Sequence, residues 1–351
     1  MTLAAWLHDL DPILIHLGPF PIRWYGLSYL AGFFVAYLLV KRVCRVGVST
    51  LKPENAADLV VAVAIGIVLG GRLGYVLLYK PEMFVSFSSE LPYWDVLAIN
   101  HGGMASHGGM IGGMLGCLFY AKRHHHNTLY LIDLFAFTAP LGIFFGRCAN
   151  FINGELLGRP CPPDFPLAVK FPQELFDIPP EKLADVYAAL PPVGTIVPKA
   201  SYWDAQLIVD LIHQGSAVVR SAVEPFLTPR HPSQIYAGIS EGLVVMAVLL
   251  IVWSKPQKPG VIAGTFAMVY AIARISNEFF RMPDAHLMDK EFALYHITRG
   301  QWLSALLFIA GAMIVITSIK RQKEKMGGWR KRKEDLATDE HGRTSIRTDR
   351  S

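Results

Sequence analysis

The stretch YLIDLFAFTAPLGIFFGRCANFINGELLG, residues 130–158, decides the fold. From Tyr130 to Phe151 it is an apolar run of membrane length that carries Asp133 near its start and Arg147 and Asn150 near its end, and it leads into Asn153 and Glu155. About 20 apolar residues in a helix cross the hydrocarbon core of a bilayer. An arginine near the bilayer centre costs roughly 3 kcal/mol on insertion scales, so it is expected to face a partner, a polar cavity or a ligand. A single arginine can equally snorkel to the interface or tie two helices together. Here two asparagines and a glutamate follow within about two helical turns, and Gly146, Gly154 and Gly158 permit close backbone approach and a break in the helix. The pattern points to a polar site at one end of a membrane helix.

The rest of the chain reads the same way. Of its 351 residues 52% are hydrophobic and only 17% charged, and the mean hydropathy is +0.34, which is unlike a soluble domain. Apolar runs cover Tyr25–Val43, Leu59–Tyr79, Gly102–Ala121, Tyr130–Phe151, Ile235–Trp253, Val261–Phe280 and Gln301–Ile319. The net charge of +5 does not imply nucleic acid, because the basic residues gather in short loops and at the C-terminal end. Lys41, Arg42, Arg45 and Lys52 follow the first run, Lys122 and Arg123 the third, Lys255 and Lys258 the fifth, and Lys320, Arg321, Lys323, Lys325 and Arg330 to Lys333 the seventh. Basic short loops mark the cytoplasmic side. The fold class predicted is therefore an all-α polytopic membrane protein of seven transmembrane helices, N-terminus out and C-terminus in, with a small mixed extracytoplasmic head.

The expected organisation is an interfacial segment over 1–24, helices 1–4 over 25–151, the head over 152–232, helices 5–7 over 233–320, and a basic, disordered cytoplasmic tail over 321–351. Residues 1–24 lack a basic n-region and a cleavage motif, and carry Asp9 and Asp11, so they do not read as a signal peptide. Proline clusters between Pro160 and Pro192, a strand-like piece at Leu167 to Phe171 and a helical stretch around Tyr202 to His213 mark the head. In the second run Gly66, Gly70, Gly71 and Gly74 accompany the lone charge Arg72; in the third, Gly108, Gly112 and Gly116 form overlapping G-x-x-x-G pairs, a helix-packing pattern. Asp133 reads as a helix-start charge favoured by the helix dipole. Cys44, Cys117, Cys148 and Cys161 have neither metal nor disulfide spacing and read as packing residues, with Cys161 a free thiol. His124, His125 and His126 are consecutive, do not share a helix face and read as a solvated loop; His107 lies among glycines near the outer end of a run. Arg274 and Glu278 stand one helical turn apart, the spacing of an intrahelical pair.

Residues 146–158 meet every specified position of the pattern G-R-x-G/A-N-F-x-N-x-E-x-x-G, and the chain resembles the prolipoprotein diacylglyceryl transferase family that carries it. The resemblance extends in order over residues 20–320: Trp24-Tyr25-Gly26, Gly70-Gly71-Arg72-x-Gly74-Tyr75, Gly102-Gly103-Met104 with His107-Gly108-Gly109, His231-Pro232-Ser233-Gln234-x-Tyr236, and Arg274 with Glu278-Phe279-Phe280-Arg281-x-Pro283-Asp284. The chain departs from the commoner pattern at Asn100-His101, at Ala105-Ser106 and at Ala237, and its head is longer than in compact members.

The resemblance implies a reaction: the sn-1,2-diacylglyceryl group of phosphatidylglycerol passes to the lipobox cysteine thiol of a preprolipoprotein in the bilayer, forming a thioether and releasing glycerol 1-phosphate. That is the first step of bacterial lipoprotein maturation and implies an inner-membrane protein whose site faces the outer leaflet. A thiol with a pKa near ~8.5 must be deprotonated, and the departing phosphate oxygen must be stabilised. The catalytic residues expected are His107 as base, Arg147 and Arg274 as phosphate clamp, and Tyr25. Expected to bind substrate are Arg147, Asn150, Asn153, Glu155, Gly158, Glu278, Arg281 and Gly108, with Glu155 and Glu278 positioning arginines. No metal ligand set and no cofactor are expected. A transporter would show internal repeats, and none is visible; an assembly protein would use its arginines only to join helices.

Overall fold

A computed structural model describes residues 5–17, 20–89, 92–98, 102–198, 200–282, 298–321 and 323–330. Asn100, His101, Pro283, Asp284 and the tail from 331 onward lie outside the described residues. In chain order the elements are β1 (Trp6–Leu7), β2 (Ile13–Leu17), β3 (Phe20–Arg23), α1 (Trp24–Val46), α2 (Ala56–Tyr79), α3 (Ser106–His124), α4 (Thr128–Ile152), β4 (Val169–Lys170), α5 (Pro180–Ala189), α6 (Ala205–His213), α7 (Ala217–Val223), β5 (Pro229–Arg230), α8 (Ser233–Ala237), a π-helical segment Gly238–Val244, α9 (Val245–Val252), α10 (Val261–Asn277) and α11 (Arg299–Lys320). Among the described residues five helical spans are long and apolar enough to cross a membrane: Trp24–Val46, Pro53–Tyr79, Thr128–Ile152, Ser233–Val252 and Gly300–Lys320. Their apolar side chains stay exposed on one face, as along α2 at Val61, Ile65, Leu69 and Leu73. Exposed leucine and isoleucine at helical spacing is a lipid-facing stripe. The protein is a mostly helical, polytopic membrane protein.

The chain divides into two compact units, one of residues 1–31, 142–244 and 270–307, the other of residues 32–141, 245–269 and 308–351. In the second unit α2 and α3 pack glycine to glycine. A Cβ on Gly112 would lie 1.9 Å from the Gly66 carbonyl oxygen, so only glycine allows this approach. Arg72, 4% exposed, donates to the carbonyls of Asp95 (2.5 Å), Val96 (2.8 Å), Gly102 (2.5 Å) and Gly103 (3.0 Å) and fastens that loop to α2. Asp133 does serve a helix start, but of another helix. It accepts from the backbone N–H groups of Gly260 (2.7 Å) and Ala263 (2.8 Å) at the head of α10, while Asn127 caps α4 itself. All four cysteines are free.

Within the stretch expected to be a disordered tail, residues 326–329 are buried or half-buried. Gly327 pairs with Val48 and Met326 with Gln257 in backbone bridges; the Trp253 indole donates to the Met326 carbonyl (3.1 Å) and the Trp329 indole to that of Leu250 (2.8 Å). The two apolar side chains in an otherwise basic stretch give it something to bury.

In the first unit the head is built on β1, β4 and β5, with β1 parallel to β4 and β4 antiparallel to β5. The N-terminal segment is thus partly a strand of the head, and its other part is the antiparallel hairpin β2–β3. Leu7, Leu175, Val186, Ile208, Ile212, Val219 and Val223 form the head's core. On α6, Ile208, Val209 and Ile212 face inward, and Asp204 caps the helix by accepting from the Leu207 N–H (2.7 Å). Glu174 and Arg230 form a buried pair at 2.8 Å whose carboxylate also accepts from Thr228. His8, fully buried against Phe151 and Phe171, has its pKa pushed from 6.5 down to about 4, chiefly by burial. The unfolded chain takes this proton below about 6.5 and the folded chain only below about 4, so falling pH favours unfolding across that window. Tryptophan fluorescence in detergent should show the head loosening between these pH values, and His8→Phe should blunt the change.

Candidate active site

The fourth span delivers Arg147 five residues before its end, and the fifth span meets it with a carboxylate. Arg147 donates through Nε (3.2 Å) and Nη2 (2.9 Å) to Glu241 Oε2. Glu241 is completely buried and sits in the π-helical segment, where the wider turn re-aims a side chain within an apolar helix. Gly238, one turn earlier, keeps the helices close: a Cβ there would lie 3.4 Å from that of Arg147. The other Glu241 oxygen accepts from Asn277 Nδ2 (3.1 Å) and lies 4.0 Å from Arg274 Nη1, which pairs with Glu278 at 2.9 Å. The buried charges therefore run Arg147–Glu241–Arg274–Glu278 across α4, the fifth span and α10. Two guanidinium groups surround one fully buried carboxylate, and Glu278 balances the second. Among the described residues no hydrogen bond occupies Arg147 Nη1.

The loop after α4 forms the other wall. Glu155 accepts from Asn150 Nδ2 (2.9 Å) and Asn153 Nδ2 (3.2 Å). Its expected task, positioning an arginine, falls instead to Glu241, while Glu278 pairs with Arg274 as the spacing predicts. Leu156 adopts a left-handed conformation (φ 56°), unusual for a leucine. Every carbonyl from 155 to 158 is bonded: Glu155 to Gln234 Nε2 (2.5 Å), Leu156 to Ser233 Oγ (3.0 Å), Leu157 to the Met282 N–H (3.0 Å) and Gly158 to Arg230 Nη1 (3.0 Å). Gly158 also bridges to Arg281, and a Cβ on it would lie 1.9 Å from the His231 carbonyl oxygen. A cavity opens here, lined by Arg147, Arg274, Arg281, Asn277, Ser233 and Gln234 among others. Tyr25, in the first turn of α1, lies within electrostatic range of Arg147 and packs edge-on against Tyr29.

The structure thus brings together Arg147, Asn150, Asn153, Glu155, Gly158, Arg274, Glu278 and Arg281 in one unit. His107 and Gly108 belong to the other, where His107 is exposed in the first turn of α3 and Gly108 packs against the Gly70 carbonyl. Sequence reasoning missed Glu241, although one signal was present: it is the only acidic residue in the apolar run Ile235–Trp253.

The polytopic membrane protein thus gathers three arginines around one cavity and pairs two of them with Glu241 and Glu278. A family model described as prolipoprotein diacylglyceryl transferase matches residues 12–317. The chain is 43% identical over 345 residues, 93% of this chain and 97% of the relative, to a phosphatidylglycerol--prolipoprotein diacylglyceryl transferase of Bdellovibrio bacteriovorus. It is 35% identical to relatives of the same name from Rhodospirillum centenum, over 88% of this chain and 91% of the relative, and from Salmonella arizonae, over 92% and 98%. The chain belongs to the prolipoprotein diacylglyceryl transferase family, and it is a transferase.

Proposed function

We propose that this protein transfers the sn-1,2-diacylglyceryl group of phosphatidylglycerol to the lipobox cysteine of preprolipoproteins, giving a thioether and glycerol 1-phosphate. The names of the relatives supply donor and acceptor, and the observation that carries the reading is the buried chain Arg147–Glu241–Arg274–Glu278 beside a cavity that Arg281 also lines. Its planar forks suit the oxygens of a phosphodiester. The cysteine thiol gives up its proton, and the sulfur attacks the glyceryl carbon that bears the phosphate ester. The carbon–oxygen bond breaks, and its electron pair leaves on the phosphate oxygen, whose charge Arg147 and Arg274 meet. His107 is proposed as the base from the sequence. Tyr25, Asn150 and Asn153 orient the headgroup, Glu155 holds both asparagines, Glu278 holds Arg274, Gly158 and Arg281 complete the binding surface, and Gly108, like His107, is proposed from the sequence alone.

The protein is proposed to lie in the bacterial inner membrane with seven spans, N-terminus out, C-terminus in and the site towards the outer leaflet. The five long apolar helices are joined in this reading by α10, whose 17 residues reach the lower limit for a span, and by the 19-residue, glycine-rich α3. A reporter fused after Lys333 should be active only in the cytoplasm and one inserted near Pro192 only outside; the opposite result at either point overturns the orientation. The transfer itself is tested by incubating purified protein with phosphatidylglycerol and a lipobox peptide. Lipidated peptide with one glycerol phosphate per thioether is expected. Transport of an anion without any lipidated peptide would sink the enzymatic reading.

A further inference from the structure

Gln234 lines the arginine cavity, and the chemistry above gives its side chain no task. It is 2% exposed. Its Nε2 donates to the Glu155 carbonyl at 2.5 Å, which fixes the orientation of the amide, because the flipped form would set two acceptor oxygens against each other. Its Oε1 is buried and, among the described residues, accepts no hydrogen bond. Buried acceptors are almost always paired, so this one awaits a donor. Three guanidinium groups line the same cavity, yet none of them bonds it. Beside these side chains the cavity has room for a group of the size of water or a hydroxyl.

Two demands are thus placed on whatever enters: an acceptor for Arg147 Nη1, which makes no hydrogen bond among the described residues, and a small donor for Oε1. A peptide offers both kinds of group, but its carbonyls do not make the charge-assisted bond that an arginine forms with a phosphate. A phosphodiester whose headgroup carries hydroxyls offers both. We propose that Gln234 Oε1 accepts a hydrogen bond from a headgroup hydroxyl of the lipid donor, which makes Gln234 a specificity-determining residue for a hydroxylated phospholipid headgroup. The proposal rests on the diacylglyceryl-transfer reading above.

The test compares phosphatidylglycerol with phosphatidylpropanol of the same acyl chains, which keeps the phosphate charge and lacks the hydroxyls, in wild type and Gln234→Met with a lipobox peptide. The wild type is expected to prefer phosphatidylglycerol in kcat/KM by at least about tenfold, since a site built to bond a hydroxyl rejects the analogue that lacks it. Gln234→Met should lose at least about tenfold more on phosphatidylglycerol than on phosphatidylpropanol. A slackened Glu155 loop would lower both together, and a parallel fall with an unchanged ratio would reduce Gln234 to a strap. Competition of glycerol 1-phosphate against propyl phosphate with the wild type decides the matter even if the variant fails to fold. Equal inhibition means that Oε1 holds only water and overturns the proposal. Product from neither lipid in wild type would instead remove the transfer reading on which the proposal stands, whereas product from both at equal rates removes the proposal alone.

Discussion

Glu241→Leu is expected to destabilise the folded protein by about 3–5 kcal/mol, the usual cost of breaking a buried pair by removing one partner, and to abolish lipid transfer. Glu241 is fully buried and takes two donors from Arg147 and one from Asn277, with Arg274 4.0 Å away. Leucine leaves the Arg147 guanidinium with no carboxylate and the Asn277 amide short of an acceptor. Glu278 still holds Arg274, so the loss centres on Arg147. Glu241→Gln keeps an acceptor of the same shape and removes only the charge. It should unfold less readily than Glu241→Leu and still transfer poorly, because an amide cannot balance the cation that faces the leaving group. Melting temperature in detergent and transfer rate, measured on the same preparations, separate these effects. A Glu241→Leu protein that melts like wild type would mean that Arg147 is satisfied without Glu241, and the central place given to this carboxylate would be lost.

What the sequence discloses here depends on distance along the chain. Arg274 and Glu278 are four residues apart on one helix, so helical geometry alone pairs them. Arg147 and Glu241 are joined only when the fourth and fifth spans lie side by side, and no local rule brings residues 94 apart together. The π-helical turn at Gly238–Val244 adds to the difficulty, because the 3.6-residue period misplaces the side chains that follow it. Asp133 shows the same limit. Its attraction to a helix start is legible from its type, but which helix it serves depends on how α4 meets Gly260 and Ala263. Glycine periodicity on α2 and α3 is a stronger signal, since small residues every fourth position leave close helix approach as the natural use of both faces. The head is legible only as proline-rich and non-membrane; that β1 at residues 6–7 joins strands beyond residue 168 is again a long-range pairing.

Arg147→Lys separates a phosphate clamp from a helix tie. If Arg147 serves only to balance Glu241, a lysine ammonium can reach the same carboxylate, and both stability and rate should stay near wild type. The guanidinium, however, is two-sided in the proposed reaction: Nε and Nη2 face Glu241, while Nη1, without a hydrogen bond among the described residues, would meet the phosphate. Lysine is a point charge and cannot grip a carboxylate on one edge while offering a rigid donor on another. As the carbon–oxygen bond breaks, the lost charge-assisted hydrogen bond, roughly 1.5–3 kcal/mol, corresponds to a reaction about ten- to a hundredfold slower. Arg147→Lys is therefore expected to insert and fold normally and to transfer lipid at least tenfold more slowly, with the loss in kcat because the bond matters most in the transition state. Arg72 would make a poor control, since four backbone carbonyls depend on its fork. Arg123, exposed at the end of α3, supplies a neutral one as Arg123→Lys. If Arg147→Lys matches the wild-type rate, or loses rate only in step with a large fall in melting temperature, the clamp assignment fails and Arg147 is a tie between α4 and the fifth span.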